Sequence, residues 1–154
     1  MKENELRLAR GKIAEKFIGI EQIIAAIVCY YYLGKEDVNF MLNILGNDQA
    51  TFGFKRNMLQ KLIAIDDVFL QNLNKLNKIR NIFLHSPRMG DSNDSGNFYF
   101  RNPESTNPVN KELDPEKLLE DFMTIFPETY LRLHKEAVKL GMPITIQKDD
   151  PRLT

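Results

Sequence analysis

Three polar side chains close together near residue 80 are the residues in this sequence best suited to chemistry. Arg80 and Asn81 are followed by His85. On a helix, Asn81 and His85 lie four residues apart and share a face, and the long side chain of Arg80 can reach the same patch. A guanidinium group offers a two-pronged fork to phosphate oxygens, and an imidazole gives or takes a proton near neutral pH. These residue types indicate phosphate chemistry.

A purely structural interpretation of these residues stays open. A histidine in the last turn of a helix interacts favourably with the helix macrodipole, and an arginine can simply pair with an acidic side chain. Chemistry alone therefore does not decide between a site and a helix end.

Helices must position these residues, because apolar side chains recur at steps of three and four along most of the chain. Five helices are predicted, at about 4–33, 36–45, 55–63 and 67–85, and from Asp114-Pro115-Glu116 to Gly141. Asp114 is expected to cap the last helix, and Pro127 is expected to kink or split it. Glycine, proline and small polar residues predict that 87–113 is mostly loop, with a short strand possible at Phe98-Tyr99-Phe100.

The predicted fold class is all-α, a helical bundle of four to five helices with a long loop before the last helix. The 154 residues, 43% of them hydrophobic, suffice for one domain with a buried core. We expect a single helical domain over 1–143 and a loose tail over 144–154.

Composition argues against several classes of protein and site. A single cysteine, Cys29, excludes an internal disulfide and a zinc site built on cysteine pairs, and it is expected to be a small buried hydrophobe. With only two histidines, a histidine-rich metal site is not expected, and neither is any metal or cofactor. The longest apolar stretch, at 23–33, is too short to cross a bilayer, and no signal peptide is recognisable. We therefore expect a cytoplasmic protein without a membrane partner.

The motif resembles that of a known family. Arg-Asn-x-x-x-His at the end of a helix, in an all-α domain of this size, resembles the R-x4-6-H motif of HEPN domains, in which a polar residue commonly follows the arginine, as Asn81 does here. The segments Thr51-Phe52-Gly53-Phe54-Lys55 and Leu59-Gln60-Lys61-Leu62 are similar to a subset that includes relatives of the mannitol-operon repressor. The similarity covers about residues 10–140.

This resemblance implies a homodimer in which two motifs face each other across a two-fold axis. Active members of the family are metal-independent endoribonucleases, some of them toxins or phage-defence effectors with an antitoxin partner. It implies a catalytic set of Arg80, Asn81 and His85 acting on RNA. Glu21 is the candidate supporting residue: it would orient Arg80, or it is simply a solvated side chain of the first helix. Many relatives are inactive, however, so the alternative is a non-catalytic dimer that binds a partner or regulates transcription.

The distribution of charge is compatible with either function. The net charge is zero, but residues 55–88 carry seven lysines and arginines against two aspartates. Residues 89–128 are acidic, and the two segments could simply attract each other. His134, between Arg132 and Lys135, is expected on a solvated face, and Tyr30-Tyr31-Tyr32 are expected to be core or interface rings.

Overall fold

Helices make up most of the protein. The computed structural model describes residues 1–47, 49–86, 88–90, 96–102 and 112–143. Within these residues there are five α-helices: α1 (Glu3–Leu33), α2 (Val38–Phe40), α3 (Phe52–Leu62), α4 (Asp67–His85) and α5 (Pro115–Lys139). The predicted all-α bundle is confirmed. No helix in the described part of the chain is both long and apolar enough to cross a membrane.

Side-chain caps explain where several helices begin. The carboxylate of Asp66 accepts a hydrogen bond from the backbone N–H of Phe69 at 2.8 Å, which fixes the start of α4. Asp114 accepts likewise from Glu116 at 2.9 Å at the start of α5, as predicted. Helix α3 begins three residues before its predicted start, because the hydroxyl of Thr51 is its N-terminal cap.

Two helices differ in part from their predictions. The segment predicted as one short helix at 36–45 is α2 followed directly by a π-helix, Met41–Leu45. Helix α5 is not split at Pro127, which lies inside a continuous helix; a kink at this proline stays a prediction.

A small sheet lies within the segment that was predicted to be mostly loop. Its strands are β1 (Arg88–Gly90), β2 (Phe98–Arg101) and β3 (Glu112–Leu113), antiparallel in the order β1-β2-β3. Strand β2 confirms the short strand expected there, and its Phe100 is fully buried. The predicted tail at 144–154 lies outside the described residues.

Contacts group the chain into two compact units. The first unit comprises Met1–Phe17 and Asn74–Phe126, and the second comprises Ile18–Leu73 and the chain from Pro127 onward. Three helices, α1, α4 and α5, contribute residues to both units. Because these helices are continuous, the grouping does not test the predicted single domain.

Each unit contains its own set of buried apolar side chains. The first unit buries Leu6, Ile13, Phe17, Leu76, Ile79, Phe83, Phe100, Phe122 and Phe126. The second buries Ile20, Ile24, Ile27, Leu45, Leu59, Phe69, Leu73, Tyr130, Leu133 and Ala137. Full burial of one such side chain contributes about 1.5–3 kcal/mol, so these sets hold the helices that carry the polar residues described next.

Candidate functional site

Helix α4 begins and ends where the sequence predicted, which puts the three motif residues in its last two turns. Its apolar side chains recur at the expected steps of three and four and are all buried: Phe69, Leu73, Leu76, Ile79 and Phe83. Asn81 and His85 lie about 40° apart on the helical wheel, and Arg80 is about 100° from Asn81. Asn81 therefore stands between the arginine and the histidine.

The guanidinium group of Arg80 is held by two neighbours. Its Nη1 donates a hydrogen bond of 2.9 Å to Oδ1 of Asn81, the next residue along the helix. Its Cζ lies 5.3 Å from the centroid of the Phe17 ring of α1, close enough for a cation–π interaction. Both partners are uncharged, so these contacts orient the guanidinium group without neutralising it.

His85 is the last residue of α4 and is exposed. The helix end is closed by a hydrogen bond from the backbone N–H of Ser86 to the carbonyl of Ile82, at 3.0 Å. An imidazole in this position can exchange protons with solvent or with a bound substrate. The same position also suits the favourable interaction of a protonated histidine with the C-terminal end of the helix dipole.

Aromatic rings support the buried side of this helix end. Phe83 of α4 meets Phe100 of β2 edge to face, with centroids 4.9 Å apart, and the guanidinium group of Arg10 lies 5.8 Å from the centroid of Phe100. Neither Phe17 nor Arg10 was identified from the sequence as part of this region. The only available signal was the apolar periodicity of α1, which marks Phe17 as buried but does not identify what its ring contacts.

Glu21, the predicted supporting residue, belongs to the second unit, whereas Arg80 belongs to the first. Within its unit Glu21 is half-buried and lines an open cavity of about 540 Å³ between α1, the π-helix and Lys55. Most of the other lining residues are apolar. The predicted pairing of Glu21 with Arg80 is not tested by these contacts and stays a prediction.

His134 does not lie on a solvated face, which corrects the expectation from its charged neighbours. The side chain is only 5% exposed, and its ring packs edge to face on Tyr130 with centroids 4.6 Å apart. The signal in the sequence was its spacing of four residues from the buried Tyr130, which places both on the same face of α5.

The remaining sequence expectations have mixed outcomes. Cys29 is buried, as predicted, and its sulfur accepts a hydrogen bond from the backbone N–H of Asp37 at 3.2 Å. Tyr31 and Tyr32 are about half exposed and stack edge to face on each other, so neither is a core ring. Among the described residues, no three histidine, cysteine or acidic side chains are grouped as a metal site requires.

Comparisons with known proteins found no relative of this chain. No protein-family model, no curated protein and no solved structure matches this chain.

Proposed function

We propose that this protein is a metal-independent endoribonuclease of the HEPN type, active as a homodimer. The observation that carries the proposal is the arrangement at the end of α4. A guanidinium group is fixed by uncharged partners, Asn81 and Phe17, and an exposed imidazole, His85, ends the same helix. The R-x4-6-H resemblance supports it.

The proposed reaction needs one base, one acid and one cation. His85 of one copy accepts the proton of the RNA 2′-hydroxyl as its oxygen bonds to phosphorus. His85 of the second copy donates a proton to the 5′-oxygen as its bond to phosphorus breaks. Arg80 stabilises the negative charge that builds up on the phosphorane oxygens. The products are a 2′,3′-cyclic phosphate and a 5′-hydroxyl, and no metal is required because every role is filled by a side chain.

Asn81 has a positioning role in this scheme. Its Oδ1 holds Arg80, and its place on the helix between Arg80 and His85 sets the spacing of the cation and the proton-transfer group. A toxin or phage-defence role, with an antitoxin that blocks the site, would follow from such an activity.

The decisive experiment is cleavage of single-stranded RNA in excess EDTA. Wild-type protein should cut RNA to products with a 2′,3′-cyclic phosphate and leave DNA of the same sequence intact. His85→Ala should lower the rate by about 10²–10⁴, the typical contribution of a proton-transfer group. Arg80→Lys should also fall well below wild type, because lysine lacks the planar fork. Light scattering should show a dimer at tens of micromolar.

The matched control is Leu84→Ala, which truncates the partly exposed neighbour of His85 and should cut at nearly the wild-type rate. Equal residual cleavage by wild type and His85→Ala would identify a contaminating nuclease. A monomer in light scattering would rule out a site that takes one His85 from each of two copies.

The second candidate function is a non-catalytic dimer of the same type that binds a regulatory partner. A net charge of zero favours it, because RNA-binding proteins usually carry a basic surface. This function predicts a stable dimer with no RNA cleavage, and a biological effect that His85→Ala leaves unchanged.

A further inference from the structure

Large apolar side chains are exposed mainly in the second unit. Among the described residues, ten of the twelve exposed large apolar side chains belong to it, and only Leu8 and Leu84 belong to the first unit. Four of the ten line grooves beside the π-helix: Ile18, Leu42, Ile44 and Phe54. Exposed apolar side chains that lie together mark a surface where another molecule binds.

The cavity lined by Glu21 is an open groove in this surface, and we call it the π-helix groove. Its volume is about 540 Å³. Its floor consists of small, buried residues of α1: Gly19, Ala25 and Ala26. At its edges, the side chain of Ile18 is 52% exposed and that of Leu42 is 65% exposed. The surface therefore offers both a depression and protruding apolar side chains.

Two charged side chains of opposite sign, Glu21 of α1 and Lys55 of α3, line the π-helix groove. Both are half-buried, and neither forms an ion pair with another of the described residues. A molecule that covers the groove takes both charges out of water, which costs free energy unless each meets an opposite charge. The molecule that fits must therefore present one cation and one anion beside an apolar surface.

A second copy of this chain has both charges and the apolar surface. In a two-fold arrangement the same surface of each copy meets the other, so Glu21 of one copy faces Lys55 of the other, and the reverse. Ile18 and Leu42 of each copy then enter the groove of the other. We propose that two copies of this chain associate through the π-helix groove, held by two reciprocal ion pairs between Glu21 and Lys55. The proposal rests on the proposed function for its requirement of a dimer, and it names the surface that forms it.

The test measures the dissociation constant of the dimer by sedimentation equilibrium of the full-length protein. Glu21→Lys and Lys55→Glu should each weaken the dimer by about tenfold or more, because like charges then meet at both contacts. The double variant exchanges the two charges, rebuilds both ion pairs and should return the constant close to the wild-type value. A general loss of folding could not give this recovery, because two independent destabilising changes add.

Matched controls make the same changes of charge outside the groove. Lys61→Glu alters an exposed residue of α3, and Glu15→Lys alters an exposed residue of α1, and neither residue lines the groove. Both should keep the wild-type dissociation constant. Equal weakening by Lys61→Glu and Lys55→Glu would overturn the proposal. A double variant that binds no tighter than the single variants would also overturn it, as would a wild type that is monomeric at tens of micromolar.

A second measurement does not depend on reversed charges. Glu21→Cys protein is mixed with Lys55→Cys protein and treated with a short bis-maleimide, with which the buried Cys29 should not react. The mixture should give a covalent dimer far more readily than either variant alone, because only the mixture brings a cysteine at position 21 next to one at position 55. Equal cross-linking in all three samples would overturn the proposal.

The two proposals can fail separately. A dimer that depends on Glu21 and Lys55, without any cleavage of RNA, would support the interface and reject the ribonuclease. Cleavage by a dimer that neither charge reversal weakens would support the ribonuclease and reject the interface. Loss of cleavage in Glu21→Lys with an unchanged dimer would also reject the interface, and would assign Glu21 to its predicted role beside Arg80.

Discussion

The chain contains two arginines that are closely followed by a histidine, one pair in α4 and one in α5. The two pairs differ in the partner of the arginine and in the exposure of the histidine. Arg132 forms an ion pair of 2.6 Å with Asp66, and His134 is buried. Arg80 is held instead by a neutral amide, and His85 is exposed. Residue types alone would not separate the two pairs.

Both arginines also lie over an aromatic ring, so the ring is not what distinguishes them. Cζ of Arg132 is 4.5 Å from the centroid of Phe69, and Cζ of Arg80 is 5.3 Å from that of Phe17. The difference is the charge of the hydrogen-bonding partner. A carboxylate neutralises the guanidinium group, whereas an amide orients it and leaves its charge unneutralised.

The largest expected effect is on the rate of RNA cleavage. It comes from giving Arg80 a carboxylate partner like that of Arg132. Asn81→Asp places a carboxylate beside Arg80, as Asp66 is placed beside Arg132. The rate of RNA cleavage should fall by about 10²-fold or more, the usual cost of losing one preorganised charge-stabilising group. The measurement is kcat/KM on a short RNA, with a thermal melt to show that the fold is retained.

Gln71→Glu is the control for that substitution, because it adds the same negative charge to α4 about 15 Å before Asn81 along the helix. It should lower kcat/KM only slightly. An equal loss in both variants would mean that RNA is simply repelled, and that the partner of Arg80 does not matter.

The second prediction concerns stability, for which the histidine of α5 should matter more than the histidine of α4. His134→Ala should lower the free energy of unfolding by about 2 kcal/mol, because it removes a buried ring packed on Tyr130. His85→Ala should change it by less than about 0.5 kcal/mol, as expected for an exposed side chain. Urea denaturation of both variants gives the two values. A larger loss for His85→Ala would mean that this histidine is structural.

The sequence predicts α4 well because all the signals for this helix are local. Its apolar spacing and the proline at position 87 lie within or next to the helix. The aspartate that caps it, Asp66, also lies directly before the helix, although only the structure identifies it as the cap. The same local signals place Asn81 between Arg80 and His85. The contact of Arg80 with Phe17 could not be predicted, because periodicity identifies a buried ring but not the partner from another helix.

The sequence predictions fail where contacts or backbone geometry are not determined by residues that are neighbours in the sequence. The pairing of β1 with β2 and of β2 with β3 depends on residues apart in sequence, so only the aromatic run of β2 was visible beforehand. The π-helix at Met41–Leu45 has the same apolar spacing as an ordinary helix over so short a length. His134 was misplaced because its charged neighbours outweighed its spacing from Tyr130.

The smallest expected effect is on stability as a function of pH, and it concerns Asp66, the carboxylate partner of Arg132. The backbone N–H of Phe69 and the guanidinium group of Arg132 both stabilise the charged form of Asp66, which lowers its pKa below the ordinary value of 3.8. A carboxyl group whose pKa is lower in the folded protein binds protons more tightly when unfolded. Asp66 therefore stabilises the fold fully above the unfolded-state pKa, and this contribution is lost as the pH falls through the folded-state pKa.

The measurement is the difference in free energy of unfolding between wild type and Asp66→Asn at several pH values. Wild type should be more stable at pH 6, and its advantage should shrink steadily below about pH 4. Asparagine is the right replacement because it can still cap α4 but cannot ionise, so the comparison isolates the charge. The effect should be small because the ion pair is partly exposed to solvent. A difference that does not change with pH would mean that Arg132 is not neutralised by Asp66, and the distinction drawn between the two arginines would then rest on the burial of the histidines alone.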